Sequence, residues 1–205
     1  GTLCKKGDTQ LKDSDVVAVE GKPLAYQKFV YIMLNKPEGV VSASTDKRDT
    51  TVVDLLGDAY PRREIFPAGR LDKTSTGFVL LTDDGVFAHD ILAPKRHVSK
   101  TYTVTIDTPL TDEMKAGFAA GVTLADGTAL SPAEVEALTP DGLTVRVVLK
   151  QGVYHQIKRM FGVYNAGVNA LHRRSIGGVA LDAALAPGQW RELTEKEVEK
   201  LRQKV

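Results

Sequence analysis

The sequence predicts an α+β fold in which helices pack on a mixed, largely antiparallel central sheet. Short apolar and β-branched segments bounded by turn residues recur along the chain and indicate strands. Segments with helical spacing of apolar residues lie between them, without the regular repeat of parallel βαβ units. The 205 residues, 42% of them hydrophobic, are enough for one substantial core, so we expect one main domain.

Four segments are predicted to be strands. The first is the apolar run at 30–34, which ends at the turn residues 35–39, Asn-Lys-Pro-Glu-Gly. The second is the apolar run at 78–81. The third and fourth are the segments at 101–106 and 143–149, in which apolar or β-branched residues alternate with polar ones.

Three segments are predicted to be helices. Residues 82–85 have the composition of an N-terminal cap for a short helix that continues to residue 92. A second helix at 111–120 begins with a Thr-x-Glu pattern. A third is indicated at 157–164, where four apolar residues recur at helical spacing and form one stripe.

Two cationic residues of the third helix lie at different angles to its apolar stripe. Lys158 falls at the border of the stripe, and Arg159 points roughly to the opposite side. A partly desolvated lysine at such a border needs an anionic partner. The more common alternative is that its ammonium group extends into solvent.

The cysteine and histidine content narrows the class of protein. Cys4 is the only cysteine, which excludes an internal disulfide and a cysteine-rich metal site, and which is typical of a reducing cytoplasm. The four histidines, at positions 89, 97, 155 and 172, have no metal-ligand spacing. Neither a membrane-spanning run nor a signal-like segment is present. We therefore expect a cytoplasmic protein without a metal.

Charge is distributed unevenly along the chain, although the formal net charge is only +1. Cationic residues gather at 95–100, 158–159 and 172–174, and carboxylates concentrate at 192–199. Such segregation lets a near-neutral protein present a basic face to phosphates. A single cluster of this size is more often ordinary solvated surface, so the charges alone leave both alternatives open.

Asp72 lies in a Gly- and Thr-rich loop between Arg70 and Lys73, just before a predicted strand. The spacing from Gly69 to Lys73 is faintly similar to that of a phosphate-binding loop, but the charge of Asp72 would repel phosphates. On the loop alone, the simplest interpretation is structural: Asp72 caps a turn and pairs with Arg70 or Lys73.

The same loop is one of several motifs that together resemble a known family. The segment GRLDKTSTGFVLLTDDG resembles the signature of the pseudouridine synthases of the RsuA/RluB/RluE/RluF type. The resemblance extends, in the family's order, through YIMLNKPEGVV, SKTYTVTI, GVYHQIKRMF and LHRRSIGGVALDAALAPGQWRELTEKEV. It covers nearly everything from about Tyr26 to the C-terminus, and several co-linear motifs are far more specific than GRLD alone.

The resemblance implies the pseudouridine synthase fold and a set of site residues. Asp72 matches the catalytic aspartate, which either attacks the ribose of a uridine or removes its C2′ proton. Tyr102 matches a tyrosine that stacks on the uracil, and Lys158 the basic residue that pairs with the aspartate. The residues expected to bind the RNA substrate are Arg70, Leu171, Lys100, Arg159 and Arg173, of which Leu171 would pack beneath the site.

These roles agree with elementary physical chemistry. A stacked uridine cannot present C1′ to a side chain, so it must be extruded, and an aromatic face with a nearby cation can offset the unstacking cost. A carboxylate in a pocket drier than water stays ionised more readily beside a cation such as Lys158. The reaction is an isomerisation, so no cofactor is expected.

Among members of the family, the motifs look most like those of the RsuA branch. This implies isomerisation of one uridine of 16S small-subunit ribosomal RNA, uridine 516 in the family, by a monomer. The alternatives are a synthase acting on large-subunit ribosomal RNA, or an RNA-binding or ribosome-assembly module with an idle site. An intact set of Asp72, Tyr102 and Lys158 speaks against the last, since pure RNA binding needs no carboxylate facing phosphates.

The N-terminal segment indicates a second, incomplete unit. Residues 1–25 resemble the last part of a small S4-type RNA-binding domain and its linker, and residues 26–205 form the expected catalytic domain. Because the basic helical part of an S4 domain is missing, we expect a truncated or trimmed chain. An ordinary N-terminal hairpin is the alternative.

Overall fold

A computed structural model describes residues 4, 9–10, 17–24, 27–93 and 98–203 of the chain. Within these residues, short 3₁₀ turns lie at Asp54–Ala59. The strands are β1 Val17–Val19, β2 Lys22–Leu24, β3 Tyr31–Lys36, β4 Phe66–Pro67, β5 Thr76–Thr82, β6 Lys100–Ile106, β7 Glu134–Ala137, β8 Thr144–Leu149, β9 Val168–Ile176, β10 Val179–Ala180 and β11 Trp190–Glu192. The helices are α1 Gly85–Leu92, α2 Asp112–Ala120, α3 Gln156–Gly162 and α4 Glu195–Arg202.

The central sheet has the strand order β11-β3-β5-β9-β6-β8-β7 in the described part of the chain, with β4 added beside β5 and β10 beside β9. Neighbouring strands pair in antiparallel fashion except for β5 and β9, which are parallel. The predicted mixed, largely antiparallel sheet with flanking helices is therefore confirmed.

Apolar residues of β3 and β5 are buried on both faces of the sheet, and each face carries two helices. On one face, Ile32 and Leu34 belong to a cluster that includes Phe118 of α2 and Phe161 of α3. On the other face, Met33 joins a cluster built with residues of α1 and α4. Burial on both faces explains why these two strands are continuous apolar runs rather than alternating ones.

The helix starts follow from local capping. Asp84 accepts a hydrogen bond from the backbone of Phe87 at the start of α1, and Thr111 accepts one from Met114 at the start of α2. These caps satisfy backbone donors that a first helical turn leaves unpaired. The helices predicted at these positions are confirmed, as are the predicted strands, which correspond to β3, β5, β6 and β8.

The parallel contact between β5 and β9 lies only a few residues after the Asp72 loop. Thr76 pairs with His172 and Gly77 with Arg173. Gly77 has φ of 101°, and a Cβ atom there would stand 2.4 Å from the carbonyl oxygen of Arg173. Only glycine fits this close approach of two backbones. The parallel pairing of β5 with β9 therefore begins a few residues after Asp72 along the chain.

At the N-terminus, β1 and β2 form an antiparallel hairpin. The hairpin fits either alternative for residues 1–25, and much of that segment lies outside the described residues, as does the expected domain boundary at 25–26. The S4-like assignment stays a prediction. None of the helices among the described residues is long and apolar enough to span a membrane.

Candidate active site

Asp72 projects from the loop between β4 and β5, and the residue before it is anchored. The hydroxyl of Ser42 donates a hydrogen bond to the carbonyl of Leu71 (2.9 Å) and accepts one from its backbone amide (3.0 Å). The Leu71 side chain is itself buried in the core. A side chain that satisfies both backbone groups of one residue fixes the direction in which the next one leaves the core.

Lys36 holds the loop on the C-terminal side of Asp72. Its ammonium group is fully buried and donates to the carbonyls of Pro37 (2.9 Å), Lys73 (3.3 Å) and Ser75 (2.7 Å). Burial lowers the pKa of Lys36 to about 8, against the opposing effect of the Asp72 charge. The loop is thus held on both sides of the carboxylate, by Ser42 before it and by Lys36 of β3 after it, whereas the sequence pattern placed Lys36 only in a turn.

Two donors from the start of α3 face the Asp72 carboxylate. The Lys158 ammonium lies 3.5 Å from Oδ2, and the His155 imidazole Nε2 lies 3.2 Å from Oδ1. Lys158 also donates to the hydroxyl of Thr74 at 3.3 Å. All three charged or titratable side chains are half-buried. The predicted ion pair between Asp72 and Lys158 is confirmed.

The structural alternative for Asp72 is a turn cap that pairs with Arg70 or Lys73. In the described part of the chain the Asp72 carboxylate instead lies against Lys158 and His155. Lys73 points away and forms an ion pair of 2.7 Å with Asp49. Asp72 instead faces residues far along the chain. The contacts of the Asp72 side chain do not hold the loop together, because Ser42 and Lys36 already do so.

His155 was missed as a site residue by sequence analysis, which considered the histidines only as metal ligands. It precedes α3 in a left-handed backbone conformation, with φ of 50°. Residues three apart at a helix start lie on one side, so the spacing of His155 to Lys158 was the available signal. Placing both on Asp72 requires the tertiary contact between α3 and the loop.

Tyr102 and Leu171 lie at the apolar side of this arrangement. Tyr102, on β6, is buried in the same cluster as Leu71 and Ile157, the residues that precede Asp72 and Lys158. Leu171, on β9, is partly buried against that cluster. The catalytic role of Tyr102 and the supporting role of Leu171 stay predictions, and their placement in one cluster with the loop and α3 fits both.

The other four residues predicted to bind RNA are placed very differently from one another. Arg70 is exposed beside Asp72. Arg159 is half-buried and forms an ion pair with Asp126, away from Asp72 as its helical angle predicted. Lys100 and Arg173 are buried, at 8% and 3% exposure. This does not fit the predicted basic surface, because a cation inside the core presents no charge to a phosphate.

The two buried basic residues, Lys100 and Arg173, donate hydrogen bonds to backbone carbonyls. The Lys100 ammonium donates to the Val98 carbonyl (3.1 Å), and burial, with the positive charge of Arg173, lowers its pKa to about 8. Arg173 Nε donates to the Phe78 carbonyl (2.6 Å), and its Nη2 has no hydrogen-bond partner among the described residues. Lys95, also predicted in the basic surface, lies outside the described residues.

The carboxylate of Asp72 is partly accessible. Its loop is held by Ser42 and Lys36, its two oxygens face Lys158 and His155, and an apolar cluster that contains a tyrosine borders it. Such a group can act as a nucleophile or base.

Comparison with known proteins identifies the family. Residues 30–162 match the family RNA pseudouridylate synthase. The chain is 46% identical over 188 residues to the protein named "Uncharacterized RNA pseudouridine synthase YtzG" of Bacillus subtilis, covering 91% of this chain and 79% of that one. It is 42% identical over 200 residues to ribosomal small subunit pseudouridine synthase A of Salmonella typhimurium, covering 97% and 85%.

Solved structures agree. A crystal structure of a pseudouridylate synthase aligns with a TM-score of 0.79 at 38% identity, covering 98% of this chain and 86% of the other. The archaeal box H/ACA Nop10–Cbf5 complex aligns with a TM-score of 0.55 at 17% identity, covering 78% and 51%, which shows a shared fold. The chain belongs to the RNA pseudouridylate synthase family and is a pseudouridine synthase of the RsuA type, an isomerase acting on RNA.

Proposed function

We propose that the chain converts one uridine of small-subunit 16S ribosomal RNA, uridine 516, into pseudouridine, with Asp72 as the catalytic group. The observation that carries the proposal is the contact of Asp72 with Lys158 and His155, at 3.5 and 3.2 Å. The choice of RNA is supported by the name of the Salmonella relative and of similar relatives from other bacteria.

The proposed reaction begins with extrusion of the target uridine from its stack. Asp72 then attacks C1′ of the ribose or removes the C2′ proton, and the glycosidic bond between C1′ and N1 breaks. The uracil turns while it remains bound, and C5 bonds to C1′ as the bond between Asp72 and C1′ breaks or, on the second route, as a proton returns to C2′. The proton on C5 is then lost, and N1 takes up a proton. No atom is gained or lost overall, so the residues need only bind, orient and move protons.

The surrounding residues have distinct roles in this proposal. Lys158 and His155 face the two oxygens of Asp72, so that the carboxylate is oriented before substrate arrives. Tyr102 supplies the aromatic surface for the uracil, and Leu171 supports it from the core side. Arg70, exposed beside Asp72, contacts the phosphates next to the extruded nucleotide.

The proposed substrate also implies a binding partner and a cellular location. Ribosomal RNA, free or in an assembling particle, is the proposed partner, and the cytoplasm is the proposed location because bacterial ribosomes assemble there. We propose a monomer, since the Asp72 site is built from one chain. A complete S4-like domain, of which residues 1–25 resemble the last part, would add phosphate contacts to the RNA through its basic helical part, but no catalytic group.

The proposal is tested by Asp72→Asn with Asp49→Asn as a matched control. Asp49 is a second carboxylate beside the same loop, ion-paired with Lys73 at 2.7 Å. Removing a catalytic group costs roughly four orders of magnitude or more in turnover. Asp72→Asn should therefore abolish pseudouridine formation, and Asp49→Asn should retain it, when small-subunit and large-subunit RNA transcripts are mapped base by base.

Each outcome has a clear meaning. Pseudouridine at one position of the small-subunit transcript, lost only in Asp72→Asn, supports the proposal. Modification of the large-subunit transcript would reassign the substrate. Substantial turnover by Asp72→Asn would refute the catalytic assignment, and RNA binding without any modification by the unaltered chain would indicate an assembly module.

A further inference from the structure

Tyr154 is an aromatic side chain left in solvent in front of the catalytic carboxylate. It is 71% exposed, and the other large hydrophobic residues exposed in the described part of the chain are aliphatic. Packing in the core cannot explain it. Singly exposed apolar residues are common on protein surfaces, so the position of the ring beside His155, and not its exposure, is the observation that points to binding.

The ring is held in a defined position by the site itself. Tyr154 stacks on His155, with ring centroids 3.8 Å apart and an angle of 16° between their planes. The His155 imidazole in turn lies 3.2 Å from Asp72 Oδ1. Asp72, His155 and Tyr154 thus form a row that runs from the catalytic carboxylate outward to solvent.

The backbone reinforces this placement. His155 has φ of 50°, in the left-handed region, at the residue where the chain enters α3. Non-glycine residues adopt this conformation rarely, and where they do the surroundings usually enforce it for a functional reason. Here the conformation places the imidazole between the carboxylate and the Tyr154 ring.

We propose that Tyr154, backed by His155, is a stacking site for a nucleobase that neighbours the target uridine in the RNA strand. This inference rests on the proposed function, because extrusion of the uridine leaves its neighbours without a stacking partner. An exposed aromatic ring replaces that partner, and it does so for any base, since every base has a flat π face.

The chemistry of the surroundings favours RNA over a protein partner. A docking surface for a protein needs a contiguous apolar patch, whereas Tyr154 stacks on His155, and the Asp72 carboxylate that His155 contacts also faces Lys158. An aromatic ring among cationic side chains is the combination with which proteins bind single-stranded nucleic acid.

The test uses short uridine-centred single-stranded RNAs in which 2-aminopurine replaces the base on one side or the other of the uridine. Binding is measured in the Asp72→Asn background, so that the RNA is not converted. Stacking quenches the fluorescence of 2-aminopurine. We expect quenching at one flanking position that is lost in Tyr154→Ala and kept in Tyr154→Phe, with Kd increased about tenfold in the alanine variant.

Val86→Ala is the matched control, because Val86 is equally exposed, at 78%, but lies on α1. It should leave both quenching and Kd unchanged. With Asp72 intact, Tyr154→Ala should keep its single-turnover rate at saturating RNA, since the ring binds a neighbour and not the reacting base.

Two results would overturn the inference. One is quenching and Kd that do not differ between Tyr154 and Tyr154→Ala at either position. The other is a lost single-turnover rate with unchanged Kd, which would make Tyr154 part of the chemistry. Since stacking tolerates any sequence and is read without turnover, a failure of the ribosomal RNA assignment would not change these readouts.

Discussion

Two groups of basic side chains in this protein differ in what surrounds them. Lys158 and His155 are half-buried and both face the Asp72 carboxylate. Lys100 and Arg173 are buried. The first group lies where a substrate can reach it. The second group lies inside the core, where its side chains can contact only other parts of the protein.

The neutralising partners differ as well. Lys158 faces the Asp72 carboxylate, whereas the hydrogen bonds of Lys100 and Arg173 go to the backbone carbonyls of Val98 and Phe78. Carbonyl oxygens solvate a cation only in part, so a buried charge held by them remains costly and, for Lys100, the pKa is lowered. Accessibility and partner, not the presence of a basic residue, therefore distinguish a cation that a substrate could reach from one that the core encloses.

The largest effect is expected at Lys158. Lys158→Met removes the cation that faces Asp72 and should lower the single-turnover rate roughly 100-fold, as losing one preorganised electrostatic contact does in other enzymes. Lys158→Arg should restore part of it. The control is Lys115→Met, which breaks another lysine–aspartate pair, with Asp112 at 2.9 Å on the surface. Equal rates for the two methionine variants would contradict the distinction.

An intermediate effect, on RNA binding, is expected when two arginines are compared. The sequence predicted that both Arg70 and Arg173 bind RNA. Arg70→Met should weaken RNA binding and reduce the salt dependence of log Kd by about 0.7, the contribution of one phosphate contact in single-stranded RNA. Arg173→Met, buried, should leave that slope unchanged once the variant is shown to be folded. A reduced slope for Arg173→Met would mean that Arg173 does reach the RNA, as the sequence suggested.

The smallest effect is expected in the pH dependence of the free energy of unfolding. The pKa values of Lys36 and Lys100 are lowered from 10.5 to about 8 in the folded protein. Between these values the unfolded chain binds more protons than the folded one, so the free energy of unfolding should increase from pH 8 towards pH 10. Above that, Tyr31, whose pKa is raised to about 12, acts in the opposite direction.

The measurement is urea unfolding at several pH values, with Lys100→Met as the comparison. The variant lacks one of the two titrating lysines and should show a smaller increase between pH 8 and pH 10 than the unaltered chain. An equal increase in both would show that Lys100 titrates normally and is not shielded by the core.

Much of the fold was predictable because local signals and tertiary packing agree. The apolar runs at β3 and β5, the alternating segments at β6 and β8, and the capped starts of α1 and α2 are all encoded within a few residues. Two of the strands that were not predicted, β7 and β11, are short and mostly polar or exposed. Their pairing is decided by the neighbouring strand and not by their own pattern.

The site was predictable in part. The sequence, through its own periodicity and its resemblance to a family, determined the candidate carboxylate Asp72 and the border position of Lys158. It also determined an apolar stripe on α3 that had to pack against a core. These properties are local, since they depend on residue type and on spacing within one turn or one helix.

Only the tertiary structure decided which charges meet. The direction of the Asp72 carboxylate depends on Ser42 and Lys36, and the position of His155 depends on the packing of α3 beside that loop. The burial of Arg173 likewise follows from the parallel contact of β9 with β5. The physical reason is that charge interactions act through distance and exposure in space, and neither is set by separation along the chain.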